Sequence, residues 1–319
     1  MLLRTLLKIF GHNLKQKFYS NGKLLLTGEY MVLDGAIALA IPTKFGQSLT
    51  VEKLEEPKIN WKSVDENGKV WFDDEFDVSS LNSPKNPVRT QKKNAVSKRI
   101  VSILNAAKIL NPEFLTISNG YRVTTKLDFP INWGLGSSST LLNNIASWAK
   151  VDPYKLLEIN NGGSGYDIAA AQNDSPILFS IINGISVTKG IKLPWGFTKQ
   201  LFFVHLNKKQ SSREGIVQYN LKPKSQLAVS EISDITLKIC SCRSLKGFEE
   251  LITKHEQIIS QIIKQNPVKE ILFKNYKGSI KSLGAWGGDF ILVTGEKEDW
   301  NYFRKKGYQT ILSFEEMKL

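Results

Sequence analysis

Two periodicities of apolar residues share the chain, and an element is expected to end where one gives way to the other. The run KLLLTGEYMVLDGAIALAI (23–41) holds two apolar stretches about Asp34-Gly35, a pair that predicts a hairpin. SLTVEKL (48–54) and GKVWFDDEFDV (68–78) predict further strands, and YRVTTKLDF (121–129) alternates as a strand does. Residues 94–110, NAVSKRIVSILNAAKIL, carry apolar side chains at helical spacing, with Pro112 just beyond. A second helix is expected over 137–150, and a short alanine-rich one after the turn NNGGSGYD (160–167). PILFSIINGISVTKG (176–190) divides at Asn183-Gly184 into two strands, and KQLFFVHL (199–206) opens a new one. Helices over about 225–240 and 245–264 follow. SIKSLGAWGGDFILVTG (279–295) then reads as a glycine turn leading into a strand, and EDWNYFRKKG (298–307) as a last helix. Strands precede and follow helices in both halves, so the expected class is α+β. The expected boundary lies near residue 190, giving domains 1–190 and 191–319, with residues 1–15 unplaced.

Composition changes this picture little. With 319 residues, the chain is long for one core and sufficient for two. Hydrophobic residues make up 41% and charged residues 23%, as in an ordinary globular protein. No apolar run approaches the roughly 20 residues that span a bilayer. The opening MLLRTLLKIFGHNLKQKF is interrupted by Arg4 and Lys8 and is expected to be a loosely attached extension. Cys240 and Cys242 stand too close for a relaxed disulfide, and His12, His205 and His255 are scattered, so no metal cluster is expected. A reducing, cytoplasmic setting fits this cysteine usage. The net charge of +13 suits an anionic partner, but the lysines are spread along the chain. Charge alone therefore does not separate nucleic acid from a small anionic substrate.

Candidate chemistry sits in the glycine turns. In PINWGLGSSST (130–140), Gly134 and Gly136 permit a close backbone approach, and Ser137 to Thr140 begin a helix. Free N–H groups and the helix dipole at such a start favour an anion. Simple capping needs only one hydroxyl, and here there are four. The common phosphate loop ends in a lysine, which this one lacks. Lys23, in SNGKLLLTGEY, is a candidate for the missing cation; it also suits a solvated strand end. Asp167, in GGSGYDIAAA, is either a rigidly held carboxylate able to take a proton or half of a capping box with Ser164. KSLGAWGGDF (281–290) offers a third glycine turn or a plain bulge.

In this order, the segments resemble the motifs of the GHMP kinase superfamily, which includes galactokinase, homoserine kinase, mevalonate kinase and phosphomevalonate kinase. The resemblance covers about residues 18–295. GKLLLTGEYMVLDG is similar to the first motif. Residues 130–139 match P-x-x-x-G-L-G-S-S-A, with Ser139 where alanine is usual, and KSLGAWGGD resembles the third motif. KLLLTGEY and GSGYD look nearest to the mevalonate and phosphomevalonate kinases, and GSGYDIA resembles a bacterial subgroup known by the string GYDIA.

The resemblance implies a two-domain fold. The N-terminal domain would be ribosomal-protein-like with a left-handed βαβ crossover, against the usual hand, and the C-terminal domain ferredoxin-like. ATP and Mg2+ are the implied cofactors. Pro130, Trp133, Gly134, Leu135, Gly136, Ser137, Ser138 and Ser139 would hold ATP, with Gly284, Ala285, Gly287 and Gly288 forming the third loop. Asp167 would accept or orient the acceptor's proton, and Lys23 would sit by the reacting centre. Ser138 and Glu158 would reach the metal, although the spacing from Glu158 to Asp167 is short for the family. Glu29, Gly165, Ser212 and Arg213 would contact the acceptor. Trp286 stands where glycine is common and is expected to narrow the cleft beside the phosphates or the acceptor.

Mevalonate is the first expected acceptor and phosphomevalonate the second. A diphosphomevalonate decarboxylase using Asp289 and a non-catalytic nucleotide or nucleic-acid binder are the competing readings. The expected partner is a small anionic molecule rather than nucleic acid or membrane, with the chain a monomer or homodimer.

Overall fold

The computed structural model describes residues 15–78, 94–116, 119–160, 162–210 and 212–319; the N-terminal extension therefore lies almost wholly outside the described residues. The chain folds as two compact units built from interleaved segments. The first comprises Met1–Ser20, Gly46–Pro130 and Ser138–Gly162, and the second Asn21–Phe45, Ile131–Ser137 and Gly163–Leu319.

β1 (Gln16–Thr27) and β2 (Ala38–Leu54) pair with each other, and each runs through both units. In the first unit the strand order is β4-β3-β5-β2. β3 (Lys58–Val64) and β4 (Val70–Asp77) are antiparallel, β3 and β5 (Gly120–Leu127) are parallel, and β5 runs antiparallel to Gln47–Leu54 of β2. The parallel pair requires a crossover, and α1 (Ala95–Leu110) lies in it. Asn94 caps α1 through the Ser97 N–H, and Ile100, Ile103, Leu104 and Ala107 form its buried stripe. α2 (Ser137–Ala149) buries Leu142, Ile145 and Ala146, but also Thr140, Asn143 and Asn144. α3 (Pro153–Ile159) starts with proline in its first turn and is capped by Asp152.

In the second unit α4 (Tyr166–Ala171) precedes β6 (Ile177–Ile182) and β7 (Ile185–Gly190), which form the hairpin expected at Asn183-Gly184. β6 pairs antiparallel with Ala38–Ala40 of β2. Next come β8 (Leu201–His205), α5 (Ser212–Asn220), α6 (Gln226–Ser241), α7 (Leu245–Ile263) and α8 (Val268–Leu272). They are followed by β9 (Ile280–Ser282), β10 (Phe290–Thr294), α9 (Trp300–Lys305) and β11 (Ile311–Ser313). The four strands form an antiparallel sheet in the order β11-β8-β10-β9. A β-α-β-β-α-β succession closed in that order is the ferredoxin-like arrangement that the family resemblance implies. Phe202, Val204, Phe273, Ile291, Val293 and Phe303 anchor the core on this sheet. The expected division at residue 190 is not that of the compact units, which interleave, with residue 190 inside the second.

The turn at Asp34-Gly35 is not a two-residue hairpin. β1 stops at Thr27, and Met31–Asp34 form a 3-10 helix closed by Gly35 at φ 93°. Met31 and Val32 are buried, so the apolar run that reads as a strand curls to bring both into the core. Gly28 (φ 84°) and Tyr30 (φ 60°) make the required backbone reversal.

Candidate active site

Lys23 lies in β1 within the second unit, its side chain only 10% exposed. Gly22 makes this placement possible: a Cβ there would sit 2.7 Å from both the Phe45 carbonyl oxygen and Thr43 Oγ1. The Lys23 N–H donates to the Leu135 carbonyl at 3.1 Å, and Nζ donates to the Gly134 carbonyl at 3.4 Å. Nζ also lies 3.8 Å from Asp167 Oδ1 and 5.5 Å from the centroid of the Tyr166 ring. Lys23, the Gly134–Leu135 backbone and Asp167 thus meet within one compact unit.

Of the two readings open for Asp167, the capping box with Ser164 does not form. Gly165, at φ 86°, occupies the N-cap of α4, and no side chain caps the helix. Asp167 is therefore free of capping duty. Its Oδ1 is buried and accepts no hydrogen bond. The Tyr166 pKa is pushed well up by burial first and by the Asp167 charge second.

The phosphate-type loop is braced from several sides. Gly134 (φ 69°) and Gly136 (φ 89°) take the left-handed backbone, and a side chain at Gly134 would collide with the Asp289 carboxyl group. His205 Nδ1 accepts from the Asn207 N–H, which leaves Nε2–H to donate to the Asn132 carbonyl at 3.2 Å. Lys209 Nζ donates to the Ile131 carbonyl. Trp133 packs edge-on against Phe45 and Phe290, both at 5.4 Å. Pro130 and Trp133 are half-buried, Leu135 is buried, and Ser138 is exposed in the first turn of α2, with Ser137 and Ser139 beside it. Within the first unit, α2 is fixed by hydrogen bonds from Asn143 Nδ2 to Ser20 Oγ, Asn144 Nδ2 to the Gln47 carbonyl and Thr140 Oγ1 to Gln47 Oε1.

The third glycine turn has a different role from the one expected for its tryptophan. Trp286 is 1% exposed and packs into an apolar cluster with Tyr30, Tyr219, Ile232 and Ile259. It lines the core and does not narrow an opening. Gly284 (φ 58°) and Gly287 (φ 76°) take left-handed backbone, as do Trp286 (φ 57°) and Asp289 (φ 54°), where it is costly. Ala285 is buried, and its carbonyl accepts from Tyr30 Oη. Gly288 passes too close to Lys208 and Gln210 to carry a side chain. The Asp289 carboxylate accepts from the Gln210 N–H. Burial raises its pKa, while Lys23 pulls the other way.

Glu29 is not placed to touch a substrate. It is fully buried and paired with Lys281, because Tyr30 turns the chain inward just after it. Glu158 is exposed in α3, in the first unit, whereas Asp167 belongs to the second. Ser212 and Arg213 open α5, and Ser211 lies outside the described residues. Among the described residues no group of three or more His, Cys, Asp or Glu side chains could hold a metal. Magnesium does not need such a group, since it keeps water and phosphate oxygens as most of its shell. The Ser138 hydroxyl, exposed at the start of α2, suits that sparse ligation.

No protein-family model and no curated protein sequence matches the chain. Solved structures do. The chain is similar to the mevalonate kinase of Methanococcus jannaschii, with 17% identity and a TM-score of 0.68 over 95% of this chain and 98% of that one. It is similar to the Lactococcus lactis galactokinase complexed with galactose, with 15% identity and a TM-score of 0.64 over 100% and 98%. It is also similar to the Streptococcus pneumoniae phosphomevalonate kinase in complex with phosphomevalonate and AMPPNP, with 12% identity and a TM-score of 0.64 over 93% and 99%. The chain has the GHMP kinase fold. Gly134, Gly136, Gly163, Gly165, Gly284, Gly287 and Gly288 of its glycine turns belong to one compact unit. No helix among the described residues is long and apolar enough to cross a membrane.

Proposed function

We propose that the chain is an ATP-dependent small-molecule kinase that phosphorylates a hydroxyl of a mevalonate-like acceptor, as in isoprenoid precursor synthesis. The observation that carries this reading is the Lys23 ammonium, 3.8 Å from Asp167 Oδ1 and hydrogen-bonded to the Gly134 carbonyl. Phosphoryl transfer needs alignment and charge compensation more than covalent help. Asp167 receives or orients the proton of the attacking hydroxyl, and Lys23 offsets charge on the transferred group. The turn from Gly134 to Ser139 presents backbone N–H groups and the start of α2 to the phosphates. Mg2+, when bound with the nucleotide, adds positive charge, and Ser138 is the residue that would hold it. Glu158, exposed on α3, is the weaker metal candidate.

Mevalonate is the favoured acceptor, because the first motif and the GSGYD turn look nearest to mevalonate-type kinases and two of the similar structures are kinases of mevalonate or phosphomevalonate. A carboxylate in such an acceptor suits Arg213 at the start of α5. Asp289 is already packed against Gly134 and bonded to the Gln210 N–H, which speaks against a decarboxylase using it as the acting group. The test is ADP release from ATP with mevalonate and with phosphomevalonate. Turnover with mevalonate supports the proposal. Turnover with phosphomevalonate alone moves the acceptor assignment, and none with either overturns the reading.

A further inference from the structure

Four ionisable side chains, none of them Lys23 or Asp167, meet in the interior of the second unit. Lys281 on β9 is 0% exposed, as are Glu29 and His255, and Glu256 is 3% exposed. Lys281 Nζ donates to Glu29 Oε1 and to the Ser282 carbonyl at 2.6 Å, and lies 3.1 Å from Glu256 Oε1. Ser282 Oγ donates to Glu256 Oε2 at 2.7 Å. His255 Nε2 accepts the Gly28 N–H at 3.1 Å and stands 3.4 Å from Glu29 Oε2. Burying an ion pair is seldom a route to stability, because desolvation offsets the attraction. Such a cluster instead fixes one arrangement of the segments that bring the charges together.

Those segments are the turn after β1, carrying Glu29 and Tyr30, and the third glycine turn, which starts three residues after Lys281. The second of these is strained: Trp286 and Asp289 both take left-handed backbone, which persists only when the surroundings enforce it. Two further ties reach it from the first turn. Tyr30 Oη donates to the Ala285 carbonyl, and Tyr30 shares an apolar cluster with Trp286. The Lys281 ammonium also lies 5.8 Å from the Trp286 ring centroid. The far end of the turn places Asp289 against Gly134.

We propose that Lys281 is a positioning residue that locks the strained third glycine turn, and with it Asp289 beside the phosphate-type loop, to the turn after β1 through Glu29 and Glu256, and that proton exchange on Glu29 tightens or loosens this lock. The charge count gives the direction. Burial raises the Glu256 carboxyl too, against Lys281 and the Ser282 hydroxyl; with Glu256 ionised and Glu29 protonated, one ammonium faces one carboxylate and the cluster is balanced. With Glu29 ionised, it holds a net negative charge out of reach of water. Groups facing Glu29 from other elements are Lys281 on β9, His255 and Glu256 on α7, and Tyr166 on α4; Tyr30 is its neighbour. Burial raises the Glu29 carboxyl to about 7 against the pull of Lys281, and burial holds His255 well below its ordinary range. The lock is therefore tight below neutrality and looser above it. Its effect on catalysis rests on the kinase reading; its effect on the turn does not.

The test is amide hydrogen exchange of the full chain at pH 6 and pH 8, corrected for intrinsic rates, comparing residues 283–289 with β5. In the wild type, protection of 283–289 is expected to fall about tenfold more than that of β5 on going to pH 8. Glu29→Gln removes this difference. Lys281→Met leaves 283–289 poorly protected at both pH values while β5 keeps its protection. If Lys281→Met does not fold, the Glu29→Gln comparison decides alone. A wild-type turn that responds no more than β5, a Glu29→Gln variant that still responds, or a folded Lys281→Met variant with normal protection of the turn would each overturn the proposal. The kinase reading is judged separately, by turnover.

Discussion

At the scale of single residues, the position of Lys23 between a carbonyl and a carboxylate decides what its loss should do. Lys23→Met removes the charge beside Asp167 but keeps most of the buried stem, so the chain should fold and lose turnover. Asp167→Asn keeps the shape and removes the proton acceptor, and kcat should fall by roughly 10²–10⁴ with KM for ATP little changed. Steady-state kinetics with the responsive acceptor check both variants; an Asp167→Asn enzyme within a few-fold of wild type would remove Asp167 from the mechanism. Glu29 makes a prediction about stability. Its folded pKa is about 7 against an ordinary 4.5, so its contribution is fully present below 4.5 and is lost as pH rises through 7. The loss amounts to about 3 kcal/mol on full titration. His255 has the opposite sign, because its lowered pKa removes stability as pH falls. Urea unfolding of wild type and Glu29→Gln between pH 5 and 8 isolates the Glu29 part: the wild type should lose stability relative to the variant as pH rises. Lys23, Gly134 and Asp167 could be picked out in the sequence because each is, or lies close to, a glycine whose backbone is special. Glu29 was singled out for a different role, an acceptor contact, and His255, Glu256 and Lys281 were not singled out at all, because a charged residue on a strand or helix reads as solvent-facing until its distant partners are known.

At the scale of elements, the glycine turns interlock, and their coupling is measurable. Gly134→Ala adds a Cβ at φ 69° and drives it into the Asp289 carboxyl group. The backbone penalty alone is about 1 kcal/mol or more, and the collision adds to it. Asp289→Ala vacates that space, so the double variant should be more stable than the sum of the single effects by roughly 0.5–3 kcal/mol. Urea unfolding of the four proteins closes the cycle, and strict additivity would mean the two turns are not in contact. The helices that could be read in advance have a clear apolar stripe and a capping hydroxyl or amide: Asn94 for α1, Ser225 for α6 and Ser244 for α7. α5 could not, since SREGIVQYN holds a glycine within a short polar stretch. Tertiary packing explains that glycine, as a side chain at Gly215 would strike Tyr30 Oη. β3 escaped notice for a related reason: Ser63 takes an inward position where an apolar residue would have completed the alternation, and there it accepts hydrogen bonds from Trp61 Nε1 and Thr125 Oγ1. The hairpin expected at Asp34-Gly35 failed because the pair closes a 3-10 turn that buries Met31 and Val32, a choice made by the core rather than by the turn residues.

For the whole molecule, the net charge of +13 and a pI near 9.5 matter through their long-range field. The field of a strongly basic protein raises the local concentration of anions and speeds their capture, without needing contacts beyond those of the site. ATP and a carboxylate-bearing acceptor are both anions, so both should be favoured. Bound groups near Lys23 are shielded from salt by burial, whereas the field outside the protein is not. Raising ionic strength from 0.1 M to 1 M shortens the screening length from about 10 Å to about 3 Å. KM for ATP should then rise by roughly tenfold, the low end of field-driven effects, while kcat changes little. A nucleic-acid binder with the same charge would behave differently, because its affinity comes from many phosphate contacts made at once and falls steeply with salt. The discriminating measurement is therefore turnover in the presence of excess duplex DNA at 0.15 M salt. An enzyme that uses its charge only to gather small anions should keep its rate, whereas strong inhibition by DNA would show that the basic surface serves a polymer.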